Sequence, residues 1–161
     1  THGYFSDSDP VLSRITPGYD PMFKSGLFLT GALTSYKNYN LGKFQDATND
    51  GILSAYEASN LHLQDTRLVV LSACETALGD IQSGEGVYGL QRAMMVAGAK
   101  NLITSMTKVD DEATQYLMTL FYQEFIKTND VTRSLEWAQI KLREKYPDPR
   151  IWGAFLLTGT G

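Results

Sequence analysis

The sequence predicts an α/β domain, built as a mostly parallel sheet with helices on both faces, and two observations support this prediction. Residues 67–73 read Arg-Leu-Val-Val-Leu-Ser-Ala, an apolar and β-branched run that suits a parallel strand covered on both sides. After this run, strand patterns alternate with helical patterns of about ten or more residues, which is typical of a parallel sheet. The chain has 161 residues, 43% of them hydrophobic, so one domain with a substantial core is expected.

The first third of the chain is expected to be rich in loops. Residues 1–24 contain many Ser, Asp, Pro and Gly residues without periodicity, which predicts an irregular segment after a strand that ends near His2. Two short extended segments are predicted over residues 26–32 and 51–53. Ser54 and Glu57 have the spacing of a capping box, which predicts a short helix through residues 56–59.

The rest of the chain shows more regular patterns. The strand over residues 67–73 is expected to be central in the sheet and to end at Cys74. The elements predicted after it are a helix that stops at Gly98, a strand over 101–109, a helix capped by Asp110 or Asp111, a helix from about Val131 that ends before Pro147, and a strand over 151–158. The positions expected to be buried on these helices are Val87, Leu90, Met94, Ala97, Ala113, Tyr116, Leu117, Leu120, Phe121, Leu135, Ala138 and Leu142.

Composition argues against several classes of function. Lys and Arg number 14 against 18 Asp and Glu, a net charge of −4 without a basic run, so direct contact with nucleic acid is not expected. The longest apolar runs are far shorter than the ~20 residues that cross a bilayer, and no signal peptide opens the chain, so a cytoplasmic protein without membrane contact is expected. One cysteine and two histidines make neither a disulfide nor an ordinary zinc site, so no metal is expected.

Cys74 is the candidate for chemistry, because it ends the strand over residues 67–73. Ligands bind at the carboxyl ends of parallel strands, where loops and helix N-termini converge. Both a buried unreactive thiol and an activated nucleophile are compatible with this position. A nucleophilic thiol needs a nearby base, and the chain offers His2 and His62. His2 is the better candidate, since Gly3 after it lets a backbone amide face a substrate carbonyl, whereas His62 is interpreted as a surface residue.

A dinucleotide-binding domain is a second interpretation. Residues 84–89 match the G-x-G-x-x-G pattern, and Asp110 follows about 20 residues later. The glycines do not follow their strand directly, however, because residues 75–84 intervene, and the carboxylate of Glu85 would repel a pyrophosphate. A phosphate-binding P-loop fits less well, since Glu85 stands where that motif needs lysine. A loop turn and close packing of a helix explain the glycines better.

Several motifs together support a more specific interpretation. In chain order they are Thr-His-Gly-Tyr-Phe at 1–5, Leu-Val-Val-Leu-Ser-Ala-Cys-Glu-Thr at 68–76, Gly-Glu-Gly-Val-Tyr-Gly-Leu at 84–90, Ala-Gly-Ala at 97–99, Val-Asp-Asp at 109–111 and Trp-Gly-Ala-Phe at 152–155. This set resembles the CHAT family of caspase-like cysteine peptidases. The resemblance implies a three-layer α/β/α sandwich of the caspase and separase type. Because the chain begins at Thr1 without an initiator methionine, residues 1–161 are expected to be the C-terminal major part of one such domain, without its first strands.

The resemblance also implies a mechanism. It implies a catalytic dyad of Cys74 and His2, with the backbone amides of Gly3 and Cys74 as the oxyanion hole. The implied reaction is hydrolysis of a peptide bond in a protein or peptide substrate through a thioester acyl-enzyme, with no cofactor. Family members are commonly joined to helical repeats, so a repeat region or a regulatory protein upstream is the expected partner. A catalytically silent interaction domain is the alternative.

The chain departs from the family's pattern in two places. Residues 105–108, Ser-Met-Thr-Lys, lack the tryptophan that family members usually carry there. The strands expected before the histidine motif are also absent from this chain. In caspases themselves the histidine precedes the cysteine by ~50 residues, a shorter interval than the one between His2 and Cys74. Asp110 and Asp111 follow the strand next to the nucleophile and are candidates for contacts with a basic side chain of the substrate. Glu75 is a candidate to line the cleft or to orient its loop, and a solvated surface carboxylate is an equally good interpretation. For Asp110 a helix cap is the favoured interpretation.

Overall fold

A computed structural model describes residues 2–5, 22, 25–41, 43, 50–72, 85–106 and 110–159. These residues contain two three-stranded sheets and six helices. The first sheet contains β1 (His2–Phe5), β2 (Ser25–Phe28) and β3 (Ile52–Ser54). The second contains β4 (Val69–Leu71), β5 (Asn101–Ser105) and β6 (Phe155–Gly159). The helices are α1 (Ala32–Asn40), α2 (Ala55–Ser59), α3 (Glu85–Val96), α4 (Asp111–Thr128), α5 (Val131–Lys145) and α6 (Pro149–Trp152). This mixture of helix and sheet is the predicted α/β class.

The first sheet is an antiparallel meander in the order β1-β2-β3. His2 pairs with Phe28 and Gly3 pairs with Leu27, and Leu27 pairs in turn with Leu53 of β3. The predicted strand end near His2 is wrong, because His2 begins the strand β1 in the described chain. The pairing partner of β1 is distant in the sequence, so no local pattern marks this strand.

A helix that the sequence does not predict follows β2. The prediction of an extended segment over residues 26–32 holds only as far as Phe28, and α1 begins at Ala32. The turn between them contains Gly31, whose φ of 101° is unfavourable for other residues. Most side chains of α1 are polar, so its sequence shows no sustained apolar stripe.

The second sheet has the order β4-β5-β6. β4 and β5 are parallel, with Leu71 paired to Thr104, and α3 lies in the crossover that parallel strands require. β6 runs antiparallel to β5, with Phe155 paired to Ser105. Among the described strands, β5 rather than β4 is therefore in the middle of this sheet. The described sheets are also not mostly parallel. The first sheet is antiparallel, and the second is mixed, because β6 starts at the edge where β5 ends and runs back along it.

Alternate residues of the second sheet pack into two cores, as the two-residue period of a strand requires. The α4–α5 core contains the buried residues Ile103, Ala113, Leu117, Phe121, Val131, Leu135, Ala138, Leu142, Ala154 and Phe155. The α2–α3 core contains the buried residues Leu27, Ala55, Ala58, Leu90, Ala93, Met94 and Leu102. The helical positions of both sets include most of those that the sequence predicts to be buried.

Local signals set the starts of two helices, as predicted. Ser54 and Glu57 form a capping box, in which the Glu57 backbone N–H donates to Ser54 Oγ at 3.2 Å and the Ser54 N–H donates to Glu57 Oε2 at 2.8 Å. Asp110 caps α4 by accepting the backbone N–H of Ala113 at 3.0 Å. This contact identifies Asp110, and not Asp111, as the cap.

The segment between α3 and α4 contains a strand, as predicted. α3 ends before Gly98, which has a φ of 105°, and a Cβ there would lie 2.9 Å from the backbone nitrogen of Gln64. Only glycine fits this turn without strain. β5 then covers Asn101–Ser105, and residues 107–109 of the predicted strand lie outside the described residues.

The last part of the chain departs from the prediction in one place. α5 covers the predicted helix and ends before Pro147, but residues 151–158 do not form a single strand. Asp148 caps the short helix α6, which has Pro149 in its first turn, and β6 begins only at Phe155. The Asp-Pro pair is a helix-start signal. The sequence analysis predicts a strand instead, because mostly apolar residues follow this pair.

Candidate functional site

Three chain segments meet at one edge of the second sheet. We call this the carboxyl edge, meaning the ends of β4 and β5 and the start of β6. Leu71, the last residue of β4, pairs with Thr104, and the Met106 backbone N–H donates to the Ala154 carbonyl at 2.7 Å. Cys74 and Glu75 follow β4 in the sequence and lie outside the described residues. The topology therefore directs the chain toward the carboxyl edge just before it reaches them.

The first sheet carries His2 and Gly3 on β1. The structure describes the backbone of His2, and Gly3 is partly buried. Gly3 pairs with Leu27, whose side chain packs in the α2–α3 core together with Leu102 of β5. The position of β1 is thus coupled to the second sheet through β2 and this core. The distance between His2 and Cys74 falls outside the described geometry.

His62 lies between α2 and β4, and its side chain is exposed. This exposure agrees with its interpretation as a surface residue.

A partly buried polar contact joins α3 to the carboxyl edge. Gln91 Nε2 donates to Thr104 Oγ1 at 2.7 Å, and the Thr104 side chain is only 2% exposed. Its neighbours on this face of the sheet are apolar members or contacts of the α2–α3 core, Leu71 and Leu102 among them. The sequence analysis missed this pair, because the helical pattern of α3 reveals which positions face the sheet but not which strand residue each one meets.

The acidic residues after β5 have different environments. The Asp110 carboxylate accepts the Ala113 amide in the first turn of α4, so it is engaged by the helix. Asp111 is exposed in the same turn, and no described contact occupies its carboxylate. Of the two aspartates predicted to contact substrate, Asp110 is therefore the one engaged as a helix cap.

An ion-pair cluster that sequence reasoning missed links the start of α4 to the end of α5. Glu112 Oε1 accepts hydrogen bonds from Lys145 Nζ at 3.2 Å and from the Tyr146 hydroxyl at 3.0 Å. The Lys145 ammonium lies 4.8 Å from the ring centre of Tyr116 and 5.0 Å from that of Tyr146, within cation–π range. The hydrogen bonds from Lys145 and Tyr146 hold the pKa of Glu112 below its ordinary value. Glu112 and Lys145 are both exposed, so the net contribution of their ion pair to folding is small.

The described residues show neither a metal site nor a membrane-spanning helix. No group of three or more His, Cys, Asp and Glu side chains in them has the arrangement of a metal site. No helix within those ranges is both long and apolar enough to cross a membrane.

Comparison with known sequences identifies the family. The sequence model of the CHAT domain matches residues 1–160. The chain belongs to the CHAT domain family. This is a caspase-like family related to peptidases, and the described mixture of helix and sheet is consistent with its fold.

One curated relative is tetratricopeptide repeat protein 28 of Mus musculus, which is 27% identical over 111 residues. The aligned region covers 68% of this chain but 4% of that protein. The chain therefore spans a small fraction of the length of this relative.

Membership of the CHAT domain family bears on the second interpretation of the glycine motif. α3 begins at Glu85, so residues 85–89 lie in the first turns of a helix, as predicted. The CHAT match covers this segment as well, so the glycine motif lies within the sequence pattern of the family.

Proposed function

We propose that this CHAT domain is a cysteine peptidase that cleaves peptide bonds with a dyad of Cys74 and His2. The observation that carries the proposal is the parallel pairing of β4 and β5, since residues after a parallel strand emerge where ligands bind in such folds. We also propose the three-layer sandwich of the caspase type, with α2 and α3 on one face of the sheet and α4 and α5 on the other. The two separate cores support this layering.

In the proposed mechanism His2 accepts the thiol proton of Cys74, and the thiolate attacks the carbonyl carbon of the scissile bond. The tetrahedral oxyanion accepts hydrogen bonds from the backbone N–H groups of Gly3 and Cys74. Protonated His2 then donates its proton to the leaving amine as the C–N bond breaks, leaving a thioester. Water, deprotonated by His2, hydrolyses the thioester and restores the thiol. Every proton in the cycle is carried by groups of this chain, the substrate or water, and no cofactor takes part.

The substrate is proposed to be a protein or peptide with a basic side chain near the cleaved bond. Exposed Asp111 is the leading acidic contact, with Glu75 as a second, while Asp110 serves chiefly as a helix cap. The name of the mouse relative includes tetratricopeptide repeats, which supports a helical-repeat region or a repeat-containing regulator as the partner that presents substrate. We further propose a cytoplasmic setting, where a single thiol stays reduced.

The proposal is tested with a peptide acyloxymethyl ketone, which alkylates activated thiols. The full-length protein is treated with the probe, and labelling is scored by the mass of the peptide that contains Cys74. We expect His2→Ala to slow labelling by ~100-fold or more, since a positioned base contributes at least this factor. His62→Ala is the matched control, because it removes the chain's other imidazole from an exposed position, and it should leave the rate unchanged.

Equal labelling of the wild type, His2→Ala and His62→Ala would contradict the proposal. That outcome would favour the alternative of a catalytically silent interaction domain.

A further inference from the structure

The helix that follows Cys74 in the chain is tied to the sheet by the partly buried hydrogen bond between Gln91 and Thr104. The contact lies among apolar residues of the α2–α3 core, including Leu90 and Leu102. Apolar contacts tolerate small sliding movements, whereas a hydrogen bond weakens steeply with changes in distance and angle. A buried hydroxyl that loses its partner also costs free energy. The Gln91–Thr104 bond therefore selects one position of α3 along β5.

This contact is level with the place where the chain leaves β4 toward Cys74. Thr104 pairs with Leu71, the last residue of β4. From its start at Glu85 to Gln91, α3 rises ~9 Å at ~1.5 Å per residue, whereas β5 continues only one residue, ~3.3 Å, beyond Thr104. Because a crossover helix runs opposite to its strands, the first turns of α3 extend ~6 Å past the end of β5. These turns are the downstream anchor of the chain segment that contains Cys74.

We propose that Gln91 is a positioning residue for Cys74, and this inference rests on the proposed peptidase function. Gln91 donates one N–H to Thr104 and so fixes the height and rotation of α3. The fixed helix sets the end point, at Glu85, of the chain segment that follows Cys74, and through it the reactivity of the Cys74 thiol. Gln91 acts through α3, and its described hydrogen bond is the one to Thr104.

The chain offers a matched control on the opposite face of the sheet. Gln139 of α5 donates from Nε2 to the Phe155 carbonyl at 2.9 Å. Like Gln91, it is a half-buried carboxamide that ties a helix to a strand at the carboxyl edge. Unlike α3, α5 does not adjoin the Cys74 segment in the chain. Removing the two carboxamides should cost similar stability, but only Gln91→Met should disturb the thiol.

The test measures the second-order rate of Cys74 alkylation between pH 5 and 9 and the Tm of the full-length protein and its variants. We expect Gln91→Met and Thr104→Val each to slow alkylation at neutral pH by ~10-fold or more, because small misplacements of reacting groups have effects of this size. The double variant should be no slower than either single variant, as partners in one contact are non-additive. Thr104→Ser keeps the hydroxyl and should restore the rate to within ~2-fold, while Gln139→Met lowers Tm alone.

Two results would overturn the inference. In the first, Gln91→Met and Gln139→Met both lower Tm and neither changes the alkylation rate of Cys74. The Gln91–Thr104 contact would then have only a structural role. The other is an additive loss in the double variant. Failure of the peptidase proposal is separately visible, since the wild-type rate would then be that of a free thiol and insensitive to His2→Ala.

Discussion

The two cores of the second sheet differ in what they connect. The α4–α5 core draws its buried residues from α4, α5 and the strands and turns beside them, all from the second half of the chain. The α2–α3 core combines Leu27 of β2 with Leu102 of β5, so it joins the two sheets. One core therefore builds a scaffold, and the other sets the position of the strand that carries His2 relative to the strand that precedes Cys74. Damage to the two cores should have different functional consequences.

Substitution of one buried leucine in each core is expected to give the largest difference between the two cores. Leu27, 7% exposed, belongs to the α2–α3 core, and Leu135, 4% exposed, belongs to the α4–α5 core. Leu27→Ala and Leu135→Ala should each lower the free energy of unfolding by ~2–5 kcal/mol, because each removes buried methyl groups and leaves a cavity. Only Leu27→Ala should also slow alkylation of Cys74 in the folded protein. Urea unfolding and alkylation rates on the same samples measure both, and equal alkylation in the two variants would remove the distinction between the cores.

A smaller effect is expected at the helix caps. Asp110→Ala should destabilise the protein by ~1 kcal/mol, and Asp130→Ala, at the start of α5, by a similar amount, because each removes the acceptor for a free backbone amide. Asp110→Asn keeps a good cap without the charge, so both stability and peptide cleavage should stay close to the wild type. If Asp110→Asn instead abolished cleavage of peptides with a basic residue and left Tm unchanged, Asp110 would be a substrate contact and the cap interpretation would be incomplete.

The smallest effect concerns the exposed ion pair of Glu112 and Lys145. Hydrogen bonds from Lys145 and Tyr146 lower the pKa of Glu112 in the folded state, so the carboxylate stabilises the fold above the ordinary glutamate pKa of about 4.3. This contribution is lost as the pH falls through the lower folded value, where Glu112 becomes protonated. Lys145→Met should therefore flatten the dependence of Tm on pH in this acidic window and leave Tm less affected below it. A parallel shift of the curve at all pH values would mean that Lys145 acts through packing alone.

Sequence signals predicted the local features of this fold better than its long-range pairings. The capping box of Ser54 and Glu57 and the cap at Asp110 depend on side chains within one helical turn, so their spacing alone reveals them. The antiparallel course of β6 and the strand at His2 depend on partners far along the chain, and neither has a local signature. The Gln91–Thr104 contact has the same origin, since it forms only when α3 folds back across β5.

The residues of the candidate site also divide into those that the sequence reveals and those that only the folded structure reveals. The residues with intrinsic chemistry, Cys74 and His2, stand out in the sequence because the chain has few thiols and imidazoles. The residues that would position them do not stand out, because Leu27 and Gln91 are common residue types whose role comes from the elements they connect.

The most direct test of the central claim, that His2 activates Cys74 in the folded domain, is the pH dependence of Cys74 alkylation by iodoacetamide in the full-length protein. A thiol paired with a histidine ionises well below the ordinary cysteine pKa of about 8.5. We therefore predict a rate that stays high at pH 7 in the wild type and in His62→Ala, and that in His2→Ala rises only as the pH approaches ~8.5. A wild-type profile that coincides with that of His2→Ala, with one inflection near ~8.5, would contradict the account.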